Sequence, residues 1–70
     1  MKLKLNEYWI KKLLSYPETG MGYQRVDVIL KSGKVIRNII ALNAEELDFP
    51  EDFSDMKLEE IVDLIVRDNW

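Results

Sequence analysis

The side chains able to do chemistry in this 70-residue chain are carboxylates, lysines, arginines and hydroxyls; histidine and cysteine are absent. Without imidazole the commonest general base is missing, and without a thiol so is the strongest ordinary nucleophile. Disulfides and the usual zinc ligand sets are excluded on the same ground. Ser32 and Ser54 have no neighbour able to activate them. Three pairs of adjacent acids occur, Glu45 with Glu46, Glu51 with Asp52 and Glu59 with Glu60. Neighbouring carboxylates do not converge across a scissile bond as glycoside chemistry requires, so they read as solvated charge. The run Asp48 to Asp55 offers oxygens at alternate positions, which suits calcium, but it lacks the EF-hand pattern and its central glycine. The expectation is a protein that is not an enzyme, with no cofactor and no metal.

Two stretches instead suggest binding. In EELDFPEDFSD, Leu47, Phe49 and Phe53 sit among Glu45, Glu46, Asp48, Glu51 and Asp52. An exposed aromatic ringed by acids would suit a basic protein partner, the ring giving the desolvated contact and the charges speeding the encounter. Lys31, Lys34 and Arg37 cluster near a glycine turn, with Tyr23 and Arg25 just upstream. Basic side chains interleaved with an aromatic form a modest signal for single-stranded nucleic acid. The net charge of -3 weighs against it, and lysines at a hairpin tip are ordinary protection of a sheet edge.

Charge is divided along the chain. Residues 1 to 37 hold eight basic and three acidic residues, and residues 38 to 70 hold two basic and ten acidic ones. Such a split suits two faces with two partners, or one half neutralising the other within a fold or an oligomer. Seventy residues make one domain, 1-70, and a domain this small buries only about 60% of its unfolded surface. Having no covalent or metal staple, it is expected to rely on close packing or on self-association. The charged N-terminal residues do not read as a signal peptide, and no apolar run reaches the length of a membrane span. The expectation is a cytoplasmic protein away from membranes.

The elements that must position these residues can be read from periodicity. Asn6 is a helix cap, and Trp9, Ile10, Leu13 and Leu14 lie three and four apart on one stripe. Pro17, Gly20 and Gly22 end that helix, and TGMG reads as a turn, lacking the spacing and lysine of a phosphate loop. From Tyr23 the period becomes two. Val26, Val28 and Leu30 alternate with Arg25, Asp27, Ile29 and Lys31, and Ser32-Gly33 turns the chain into a return strand, Val35 to Leu42. A two-residue turn would set Leu30 against Val35, Ile29 against Ile36, Val26 against Ile39 and Arg25 against Ile40. Both faces of the hairpin are then partly apolar, and the helix is the natural cover for one. Leu47 and Phe49 suit a short strand that Pro50 ends.

The stretch 61–67 reads two ways. As a helix, Leu58, Ile61, Val62 and Ile65 form a stripe; as a strand, Val62, Leu64 and Val66 point inward. The near-repeat of VDVIL, 26–30, in VDLIV, 62–66, favours a strand beside the first, after a helical turn over Met56 to Glu60. Ile29 and Ile65 would then share the outer face, beneath the helix.

Helix, the hairpin VDVILKSGKVIRNIIALN, a short strand and a terminal apolar strand together resemble the Sm-like small β-barrels, in which V-x-V-x-L leads into a K-[DS]-G-[RK] turn. The likeness covers 26–43. It implies a bent antiparallel sheet or small incomplete barrel. The glycine usual in that family's second strand falls near Asn38, and the Arg-Gly pair that helps the family grip RNA is missing, so no RNA-binding residue carries over. In size and layout the chain also resembles many small bacterial proteins, which implies no mechanism. The reading is thus an α+β domain serving as a protein-binding or regulatory module, self-association included, with single-stranded nucleic acid as the alternative ligand.

Overall fold

The computed structural model describes residues 1–17 and 22–67; Gly20, the TGMG stretch apart from Gly22, and Trp70 lie outside them. The chain runs β1 (Lys2–Lys4), α1 (Glu7–Leu14), β2 (Tyr23–Leu30), β3 (Val35–Leu42), β4 (Glu46–Asp48) and β5 (Ile61–Arg67), with single 3-10 turns at Glu51–Phe53 and Leu58–Glu60. The strands form one antiparallel sheet in the order β1-β4-β3-β2-β5, open at β1 and β5. This is the α+β architecture that periodicity predicts, with 61–67 in the sheet as a strand.

The helix begins where Asn6 accepts a bond from the Trp9 backbone N–H through its side-chain oxygen, at 3.1 Å. Trp9 and Leu13 bury against the sheet and Ile10 packs beside them, whereas Leu14 points to solvent at 68% exposure. The stripe is therefore narrower than spacing alone suggests. At the other end of α1 the Gln24 amide donates to the carbonyls of Leu13 (2.9 Å), Tyr16 (3.1 Å) and Pro17 (3.3 Å). Leu13 also accepts from the Tyr16 N–H at 3.1 Å, and Tyr16 and Pro17 follow the helix, so a buried strand side chain gathers the carbonyls around the end of α1 and docks it on the sheet.

One sheet face carries the core. Val26, Val28 and Leu30 of β2, Ile36, Ile39 and Ala41 of β3, Leu47 of β4 and Ile61 and Leu64 of β5 are all buried beneath α1 and Phe49. Ile29 and Ile65 alternate with these, so they lie on the face away from the helix and not beneath it.

Two irregularities set the register of the hairpin. Leu30 accepts from Gly33 N–H at 2.9 Å and donates to the Lys34 carbonyl at 2.9 Å, which makes a three-residue loop with Gly33 at φ +91°. Ile29 therefore faces Val35, one residue earlier than a two-residue turn would place it. Further on, β3 has one more residue than β2, at a bulge opposite Asp27. Asn38 takes φ +60° there, a conformation asparagine tolerates better than most residues. The bulge cancels the first shift, and Val26 meets Ile39 and Arg25 meets Ile40 as alternation predicts. A second bulge, at Ile29/Leu30 against β5, exposes Val62 and buries Ile61 in the place expected for it.

Candidate functional site

The acidic stretch divides between core and surface. Leu47 and Phe49 are 0% and 2% exposed, and Phe53 packs partly buried against Phe49 with ring centroids 6.0 Å apart. Backbone pairing explains this. Leu47 alternates with the outward Glu46 and Asp48, and the Phe49 N–H donates to the Met1 carbonyl at 2.7 Å, which fixes the phenylalanine inward. Glu45, Asp48, Glu51 and Asp52 are exposed and Glu46 is half-buried. The acids thus remain a surface, while two of the three apolar anchors expected there belong to the core. Lys34 reaches over the Phe53 ring, its Nζ 5.3 Å from the centroid, so this lysine of the basic hairpin is turned toward the acidic segment.

The remaining basic residues converge elsewhere. Tyr23 and Arg25 of β2 lie on the sheet face opposite α1, with Asp27 between Arg25 and Ile29 on the same face. Asp27 is the buried charge of the molecule's described part, at 1% exposure. Its Oδ2 accepts from Arg67 Nε at 3.0 Å and lies 2.8 Å from Arg67 Nη2, a two-pronged contact along β5. Its Oδ1 accepts the Asn38 backbone N–H at 3.1 Å, which satisfies the donor that the bulge releases from the ladder. Arg37 approaches Oδ2 at 3.9 Å with its side chain largely in water. Arg25 donates from Nη1 to the Asn38 side-chain oxygen at 3.2 Å. One carboxylate therefore ties three strands and draws Arg37 and Arg67 to it, with Arg25 beside them on Asn38. Lys31, exposed at the hairpin tip, stands apart from this group.

Asp27 and Arg67 were not among the binding candidates readable from the chain. The usable signal is the repeated V-D-x-I pattern. Antiparallel pairing sets Asp27 against Ile65 and Ile29 against Asp63, and each aspartate is ion-paired to a residue distant in sequence. Asp63 accepts from Lys12 Nζ of α1 at 2.5 Å and from the Leu64 N–H at 2.8 Å. The Lys12 hydrogen bond, helped by the Leu64 N–H, holds its carboxyl below the usual aspartate range against the opposing pull of burial.

Around the arginine group the outer face is mixed. Lys2 lies opposite Asp48 and Lys4 opposite Glu46, as cross-strand pairs of opposite charge. Half-exposed Ile40 and Leu42 run down the middle on β3. Val35 and Ile65, 41% and 37% exposed, complete the apolar part beside Ile29. Among the described residues there is no group of three or more metal-ligating side chains. Nor is there a helix long and apolar enough to cross a membrane. No family model, curated protein or solved structure matches the chain.

Proposed function

We propose that this domain is a non-catalytic protein-binding module, and that its contact surface is the sheet face turned away from α1. The observation that carries the reading is the one-sided cover of the sheet. The helix and Phe49 bury one face, while Ile40, Leu42, Ile65 and Val35 stay partly exposed among charged residues on the other. An apolar centre with a charged margin is the make-up of a protein interface. The Asp27–Arg67 pair stiffens this surface, so little side-chain order has to be gained on binding. The test is photo-cross-linking in cells of origin, with the reactive group at Ile40 or at the exposed Tyr8 of α1. Discrete protein adducts from position 40 and none from position 8 are expected. Adducts from position 8 alone would overturn the reading.

A second reading has its own support. Tyr23, Arg25 and Arg37, with Arg67, stand on one open face, the arrangement a single-stranded nucleic acid would use. Asp27 offsets one of those charges, and Glu46 and Asp48 border the patch, which is why it ranks second. Retardation of a labelled oligonucleotide that weakens steeply with salt and on Arg37→Ala would favour it.

A further inference from the structure

Resting on the protein-binding reading, we infer that the partner of the outer sheet face is a second copy of this chain, packed face to face about a two-fold axis that runs along β3. The charges select this arrangement. On the outer face acids lie on β4 (Glu46, Asp48), apolar side chains on β3 (Ile40, Leu42) and Tyr23 and Arg25 on β2. Asp48 and Arg25 flank the same residue, Ile40, from opposite sides. A two-fold axis along β3 exchanges the two sides of the sheet. It sets Asp48 of each copy over Arg25 of the other and lays Ile40 and Leu42 on their own counterparts. The other in-plane axis, across the strands, puts β4 over β4 and β2 over β2, acid on acid and arginine on arginine. Isologous pairing of this kind is the commonest route to a dimer. Like charges meet as Lys2 over Arg67 at the rim and as Arg37 over its own counterpart on the axis; Arg37 lies largely in water beside Asp27, and solvent screens both contacts. Extents of 28 × 24 Å for the broad face limit the buried area to roughly 650 Å² per copy, at the low end of specific interfaces. The dimer therefore exchanges with monomer as concentration falls.

Edge pairing through β5 is the competing arrangement, and the structure opposes it. The Leu64 N–H is already taken by Asp63 Oδ1, and Lys12 holds that carboxylate in place. A carboxylate fixed against an edge N–H blocks the approach of another strand.

The test is molar mass by light scattering across a concentration series, with circular dichroism confirming the fold of each variant. The wild-type mass is expected to climb from 8.3 kDa toward twice that value. Asp48→Arg and Arg25→Asp should each move the midpoint up by about tenfold or more, since each reversal breaks two pairs per dimer. Combining both in one chain re-forms the pairs with reversed sign and should return most of the loss. Ile40→Glu, which leaves every ion pair intact, should give a monomer, and together with Asp48→Arg it decides the matter if Arg25→Asp does not fold. A wild type that stays monomeric throughout overturns the inference. So do single reversals that dimerise like the wild type, or a folded double variant that recovers nothing. A monomer whose position 40 cross-links to a different protein keeps the proposed function and overturns this inference alone.

Discussion

At the scale of single residues, the two aspartates of the repeated pattern do different work. Asp27 is almost inaccessible, and Arg67 supplies its charge partner from a half-exposed position. Removing the arginine strands a buried carboxylate, whereas removing the aspartate leaves an arginine that can turn to water. Arg67→Met should therefore cost about 3–5 kcal/mol, and Asp27→Asn, which keeps an acceptor for the Asn38 N–H, about 1.5–3 kcal/mol. Urea unfolding of the two variants checks the order. Asp63 is a pH-dependent tie. Its carboxyl sits below the ordinary range because of Lys12, so its contribution is present above that range and is lost as pH falls through the folded-state value. Lys12→Met should flatten the fall in stability below about pH 4 and leave the neutral-pH slope alone. Phe49 lies in the core, and Phe49→Ala should cost about 3–5 kcal/mol, much of the stability of a domain this small. The half-buried Phe53 should cost clearly less. The sequence leaves the phenylalanines among six acids able to pack inward or to stand out as anchors. Only the pairing of β4 with β1 and β3 shows that Leu47 and Phe49 alternate inward.

Among the elements, α1 and the hairpin were legible and the terminal strand was favoured over a helix, each for a physical reason. Asn6 and the 3.6-residue spacing specify the helix, the period of two specifies β2 and β3, and the V-D-x-I repeat identifies β5 as the neighbour of β2. β1 was not legible, because three residues carry too little periodicity to stand out. The side of the sheet that α1 covers was also not legible. It depends on Gln24, a polar residue that pattern reading places nowhere in particular, reaching from β2 to the end of the helix. Gln24→Leu should lower stability by about 1–2 kcal/mol despite its greater hydrophobicity, since it removes the buried donor shared by the Leu13, Tyr16 and Pro17 carbonyls; thermal unfolding followed by circular dichroism would show this. The hairpin register was half legible. A three-residue turn and the Asn38 bulge shift it in opposite senses, so the predicted pairs recover at Val26 and Arg25. Asn38→Val, forcing a β-branched residue to φ +60°, should destabilise the hairpin by more than about 1 kcal/mol, while Asn38→Gly should be tolerated.

For the molecule as a whole, the split of charge along the chain becomes a pattern across one sheet. On the outer face the basic half supplies β2 and the acidic half β4, with Ile40 and Leu42 of β3 between them, and β1 adds Lys2 and Lys4 beyond β4. A sheet covered on one side only leaves Ile40 and Leu42 half-exposed, and their burial against a partner is the function proposed for the domain. Backbone amide shifts measured over a dilution series test this most directly. Concentration-dependent shifts are expected at Tyr23, Arg25, Ile40, Leu42 and Asp48, with Glu7 to Lys11 of α1 unchanged. Shifts confined to α1 and the 51–60 segment, or none up to millimolar concentration, would contradict it.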